Sequence, residues 1–117
     1  MRFKNMTKRR LRVPVAKRGE IWQVDLGLAA KVRPALVLSI PFLDHERALY
    51  AIVPHTTAPR GTRFEVQARI PRLDDGVFDV QGIRSVPPSV LVQHRATLTQ
   101  EQLSLVEAMA KQWLGLK

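Results

Sequence analysis

Residues 33–40 read RPALVLSI. From residue 35 to residue 40 the run is almost continuously apolar. It is too short for a typical helix and lacks the polar alternation of a half-exposed strand. Such a run fits a central strand buried on both faces. Proline has no N–H to give to a neighbouring strand, so Pro34 is tolerable only where the strand starts, and Pro41 closes the run.

A central strand needs neighbours. Residues 48–55 (ALYAIVPH) form a second apolar segment, with Pro54 marking its end or a bulge. Residues 20–26 (EIWQVDL) alternate in part, and Trp22 leaves the phase open. Residues 63–70 (RFEVQARI) alternate cleanly. Phe64, Val66, Ala68 and Ile70 share one face, while Arg63, Glu65, Gln67 and Arg69 share the other, as in a half-exposed strand. Turn signals occur at 58–61 (APRG) and 74–76 (DDG). Residues 77–80 and 82–86 are short strand candidates, and Pro87-Pro88 breaks the chain. Residues 89–92 read as a last short strand or a single helical turn.

The C-terminus carries the sharpest local signal. Thr99 and Gln102 form a T-x-x-Q capping box, flanked by Leu98 and Leu103 at the positions of a hydrophobic staple. Leu103, Val106, Ala110, Trp113 and Leu114 then recur at helical spacing, and Gly115 stands where a C-terminal glycine cap belongs. This stripe reads as a face packed on a sheet. The expected fold is mainly β with a C-terminal helix: five to seven short strands in a small, curled, mostly antiparallel barrel.

The chain has 117 residues and is 45% apolar, enough for one domain with a real core. It has no cysteine, which excludes disulfides and cysteine-based zinc sites. No apolar run approaches the ~18–20 residues that span a bilayer. No membrane association is expected, and the cytoplasm is the expected location. The net charge is +9, but its distribution decides its meaning. Eight of the 19 Lys and Arg lie in residues 1–18, which contain no Asp or Glu. Residues 1–17 therefore read as a basic N-terminal extension and 18–117 as the domain. The extension is either a solvated tail or an element adding non-specific affinity for polyanions.

Conventional catalytic equipment is scarce. His45, His55 and His94 lack metal-ligand spacing, and Asp74-Asp75 reads as a solvated turn. No metal site and no cofactor are expected, because no phosphate loop, dinucleotide fingerprint or nucleophile elbow occurs. RNA, however, carries its own nucleophile, the 2′-OH. A protein need only align it, assist its deprotonation and stabilise charge at phosphorus. Arginine suits that last task because its planar fork matches phosphate oxygens and stays charged. Arg33 at the start of one strand and Thr56-Thr57 at the end of the next can converge at a sheet mouth. On spacing alone, a solvated strand-start charge and two turn-forming threonines are the simpler reading. His55 likewise reads first as a solvated or capping histidine and second as a general base. Trp22 is a core or dimer contact before it is a stacking platform. Arg60, Arg63, Arg69 and Arg72 either line an RNA path or solvate a strand, and Arg84 is balanced between a phosphate contact and a surface charge.

The same residues resemble the MazF/PemK toxins of bacterial toxin–antitoxin pairs. Residues 18–26 (RGEIWQVDL) are similar to that family's opening strand, 32–39 (VRPALVLS) to its R-P strand, 51–57 (AIVPHTT) to its strand ending in P-x-T-(S/T), and 79–86 (DVQGIRSV) to its D-Q-x-(R/K)-(S/T) segment. Four motifs in order cover roughly residues 17–116. Two places depart from the pattern: the loop at 27–32 is several residues shorter than in many members, and the D-Q pair is displaced, with Gln81 and Gly82 in its place. The resemblance implies an SH3-like barrel, usually a homodimer, that cuts single-stranded RNA without metal. It also implies a small antitoxin partner whose acidic segment covers the RNA groove. It puts the catalytic arginine at Arg33 and the catalytic threonine at Thr57, with Thr56 as the alternative register. Thr56, His55, Gln81, Arg84, Arg60 and Arg63 are then the expected RNA contacts. Two other readings stand beside it: a non-catalytic nucleic-acid-binding barrel, and a toxin of the same fold acting on a protein target.

Overall fold

The computed structural model describes residues 15–27 and 31–117. The basic extension expected at 1–17 therefore lies almost wholly outside the described residues, as does the middle of the 27–32 loop. Among the described residues there are seven strands and one helix: β1 (Glu20–Asp25), β2 (Val32–Val37), β3 (Tyr50–Thr56), β4 (Glu65–Gln67), β5 (Val77–Asp79), β6 (Arg84–Val86), β7 (Leu91–Thr97) and α1 (Gln100–Leu114). Single 3-10 turns precede β6 (Val80–Gly82) and β7 (Pro88–Val90). Every pairing is antiparallel. The order is β4-β5-β3-β2-β1-β7, with β6 also paired to β3. Among the described residues no ladder joins β4 to β7, so the sheet curls without closing.

The central strand overlaps the apolar run but is shifted toward the N-terminus: it starts earlier and ends at Val37, leaving Ile40 74% exposed. β2 opens at Val32, and Pro34 is its third residue, paired with Gln23. The proline is tolerated because β3 joins β2 only from Ala35 onward, leaving Pro34 with one neighbouring strand instead of two. Leu36 belongs to one apolar layer, while Ala35 and Val37 belong to the other, so the strand is buried on both faces. Pro54 sits inside β3 for a similar reason. One edge of β3 pairs with β6 at Tyr50–Ile52 and with β5 at His55–Thr56. Val53 and Pro54 fall in the gap, opposite the 3-10 turn. Gly82 of that turn lies so near that an added Cβ would come within 2.8 Å of Pro54 Cγ.

Residues 63–70 keep the expected alternation: Phe64, Val66 and Ile70 are buried and Ala68 is half-buried. Only residues 65–67 pair as strand. β7 runs well beyond the 89–92 segment expected to end the sheet. Among the described residues it is an edge strand paired only with β1, with two register shifts along that pairing.

The helix has the expected caps. Thr99 Oγ1 accepts the Gln102 N–H at 3.1 Å, Gln102 Oε1 accepts the Thr99 N–H at 2.9 Å, and Gly115 takes φ 70°. Leu103, Val106 and Ala110 enter the larger core with Ile21, Leu36, Val53 and Phe78. Full burial of a Leu or Val side chain contributes about 1.5–3 kcal/mol. The end of the expected stripe is different. Trp113 remains 43% exposed and Leu114 52%. The Trp113 ring meets the core residue Phe64, at 5.3 Å between centroids. The second core layer gathers Ala16, Val24, Tyr50, Ile52 and Leu91. It also pulls in the start of the described chain, where Ala16 N–H donates to the Tyr50 hydroxyl at 3.1 Å.

Candidate functional site

Two depressions meet at the mouth between β1, β2 and β3. The larger encloses about 380 Å³ and is lined by Arg33, His55, Thr57, Arg72, Asp74 and Arg95, among others. The smaller encloses about 310 Å³ and is lined by Arg33, His55, Thr56, Arg60, Asp79 and Arg84, among others. Arg33 and His55 belong to both, so the two form one trough with these residues at its waist.

Local structure accounts for the placement. Arg33 projects from the part of β2 that precedes its pairing with β3. His55 and Thr56 end β3, where the Val77–Phe78 edge of β5 pairs with them. The approach at this corner is close. A Cβ added to Gly76 would stand 2.2 Å from the Thr56 carbonyl oxygen and 2.8 Å from His55 Cε1. Thr56 Oγ1 accepts the Ala58 N–H at 3.1 Å and so shapes the turn that follows. Thr57 is exposed and its hydroxyl has no hydrogen-bond partner among the described residues.

His55 is buried, contrary to the solvated or capping histidine that the sequence suggested. It is 3% exposed, with its ring edge-on to Phe78 at 5.1 Å. Burial pushes its pKa below the ordinary imidazole value by disfavouring the cation, and the negative charge of Asp74 opposes this. Neutral imidazole retains a lone pair that can accept a proton.

The turn that carries Arg60 is held by a carboxylate that itself lines the smaller depression. The Glu65 carboxylate accepts three backbone N–H groups, from Arg60 at 2.8 Å, Gly61 at 2.7 Å and Thr62 at 3.0 Å. These bonds, that of Arg60 first, lower the Glu65 pKa.

Of the residues singled out in the sequence, Arg33, His55, Thr56, Thr57, Arg60, Arg72 and Arg84 are brought together. Arg63, Arg69 and Gln81 are not. Arg63 lies over the Phe64 ring, its guanidinium carbon 4.5 Å from the centroid, and lines neither depression. Gln81 is exposed on the 3-10 turn and also lines neither. Trp22 is half-buried against the second core layer, its Nε1–H donating to Glu20 at 3.1 Å. Gln23, Lys31 and Arg95 line the larger depression although nothing in the sequence singled them out. Arg95 lies on the part of β7 that had no strand signal. Among the described residues no group of three His, Cys, Asp or Glu side chains is placed to hold a metal ion, and no helix is long and apolar enough to cross a membrane.

Residues 17–114, which include the whole trough, match the family model described as the PemK-like, MazF-like toxin of type II toxin–antitoxin systems. The chain belongs to that family. No curated protein matches it in sequence. Solved structures agree with the family assignment. A MazF structure from Deinococcus radiodurans is 26% identical, with TM-score 0.74, covering 88% of this chain and 99% of that one. A MazE–MazF complex from the same organism is 24% identical, with TM-score 0.75, covering 89% and 99%. An endoribonuclease from a Mycobacterial species is 19% identical, with TM-score 0.73, covering 90% and 96%. The last two likenesses carry the fold alone. The family's curled antiparallel sheet with a terminal helix is the architecture found here.

Proposed function

We propose that this member of the MazF/PemK family is a sequence-specific, metal-independent endoribonuclease that cuts single-stranded RNA with the substrate's own 2′-OH. One observation carries the reading: Arg33 and Thr57, from different strand ends, line the same depression with His55 between the two halves of the trough. The 2′-oxygen loses its proton and forms a bond to phosphorus, and the bond from phosphorus to the 5′-oxygen breaks. The leaving oxygen takes up a proton, giving a 2′,3′-cyclic phosphate and a 5′-OH. Arg33 stabilises the charge that develops on the phosphoryl oxygens. The Thr57 hydroxyl holds the scissile phosphate. His55, kept neutral by burial, is suited to accept the 2′-OH proton. Arg60 and Arg84 bind phosphates on the smaller side of the trough.

The same reading assigns the chain its partners. A small antitoxin with an acidic segment competes for the cationic trough, as the MazE–MazF complexes suggest, and the toxin works as a homodimer in the cytoplasm. The domain spans 18–117, and the basic extension at 1–17 adds sequence-independent attraction to RNA.

The test incubates purified protein with long single-stranded RNA in excess EDTA. Wild type yields discrete fragments. Arg33→Ala and Thr57→Ala each lose about a hundredfold or more in rate, on the order of a transition-state phosphate contact. Binding without cleavage across several diverse RNAs overturns the enzyme reading and leaves a binding barrel. Growth arrest with intact RNA points to a protein target.

A further inference from the structure

The larger depression has more positive charge than the scissile phosphate needs. Lys31, Arg33, Arg72 and Arg95 all line it, against the single carboxylate of Asp74. Among the described residues neither Arg72 nor Arg95 is ion-paired. Arg95 is nevertheless fixed in place by neutral acceptors. Its Nη1 donates to Gln23 Oε1 at 3.0 Å and its Nη2 to the Arg72 carbonyl at 3.3 Å. The guanidinium is therefore oriented while its charge is left uncompensated, as an anion subsite requires.

The backbone beneath it supports this independently. Residues 70–73 (IPRL) form a turn closed by the Leu73 N–H on the Ile70 carbonyl at 3.2 Å. Proline occupies the second position and Arg72 the third, with φ 69°. That place in a type II turn favours glycine, and a side chain there is strained. An arginine stands there even so, and its strained backbone presents the carbonyl that holds Arg95. On β1 the register against β7 shifts between Gln23 and Val24, an irregularity beside the residue that holds the other end of Arg95.

We propose that Arg95, pinned by Gln23 and the strained Arg72 turn, forms with Arg72 a second phosphate subsite that binds the RNA backbone beside the scissile position. This rests on RNA being the substrate of the trough, but not on its being cut. The strand then runs from Arg60 and Arg84, across Arg33 and His55, to Arg72 and Arg95.

The test measures binding of the full chain to a uniformly 2′-fluoro single-stranded oligonucleotide of twelve residues, which lacks the nucleophile, over a range of salt concentrations. A phosphate contact to a single strand contributes about 0.7 to the slope of log affinity against log salt. Arg95→Gln lowers the slope by about that amount and weakens binding several-fold. Arg95→Lys, which keeps the charge, retains the slope. A dinucleotide, with one phosphate to fill the central position, binds wild type and Arg95→Gln alike. An unchanged slope in Arg95→Gln, equal losses on the dinucleotide, or no binding by wild type overturns the subsite. Cleavage of natural RNA, followed in parallel, separates the two ideas. A wild type that cuts RNA while Arg95→Gln keeps the full slope refutes the subsite alone. A wild type that cuts nothing while Arg95→Gln loses the slope refutes the nuclease alone.

Discussion

Replacing Gly76 with alanine tests whether the trough depends on a close backbone approach. The new Cβ would lie 2.2 Å from the Thr56 carbonyl oxygen, where ordinary contact begins at 3.4 Å. That oxygen is main chain in a strand paired to β5, with Thr56 opposite Val77, so no side-chain rotation relieves the overlap. The two strands must part by roughly 1 Å at the end of β3 that carries His55, Thr56 and Thr57. Overpacking of this kind costs about 1–3 kcal/mol. For a domain near one hundred residues each kcal/mol lowers the melting temperature by about 4–8 °C. At about 2 kcal/mol, the middle of that range, the expected fall is roughly 8–16 °C. RNA cleavage measured well below the variant's melting point should drop about a hundredfold, since a 1 Å misplacement of reacting groups costs that much. Gly61→Ala is the control. Gly61 has φ 80° with no atom within 4 Å of an added Cβ, so it bears only the conformational cost of about 1–2 kcal/mol, with no strand separation. Thermal melts by circular dichroism and a fluorogenic RNA substrate read both quantities. A Gly76→Ala protein that melts with wild type and cleaves at its rate would refute the close-approach argument.

Three further outcomes follow from the same geometry. His55 has a depressed pKa in the folded state, so the unfolded chain binds the extra proton first. Its contribution is present above about pH 6.5 and is lost as pH falls toward the lower folded value. The melting temperature of wild type should therefore fall more steeply than that of His55→Leu between pH 7.5 and 5, and parallel curves would contradict this. Thr99→Ala removes the helix N-cap and should cost about 1 kcal/mol, read as a melting shift of about 4–8 °C. Glu65→Ala frees the three N–H groups of the Arg60–Thr62 turn. Faster amide exchange at Gly61 and Thr62 and weaker RNA binding should appear together, and unchanged exchange would show that the carboxylate does not order the turn.

What could be read from the sequence was local. The apolar core of β2 at Ala35–Val37, the alternation around Val66 and the capping box at Thr99 each encode their state within a few residues. β7 carries no such signal, because an edge strand with one buried residue shows neither alternation nor an apolar run. Arg95 was lost with it, since its place at the trough arises only when the C-terminal strand crosses back to β1. His55 follows Pro54 and looked like a strand end open to water. Only the arrival of β5, with Gly76 pressed onto the ring, buries it. Arg63 was correctly read as pointing outward, but alternation cannot say which outward surface, and it lies over Phe64 instead of in the trough. Gln81 was placed by a displaced motif, and the 3-10 turn carries it away from the other residues.

The pairing of β1 with β7 also sets when the trough can form. Gln23 and Arg95 are 72 residues apart in the chain. A ribosome adding about 5–20 residues per second needs roughly 4–14 s to cover that distance. Until then the outer edge of the first strand has no partner, and the nascent protein lacks one wall of its own trough. On the proposed reading the segment that carries Arg95 must be made before the trough is whole, which gives each translating messenger an interval in which its product cannot yet act.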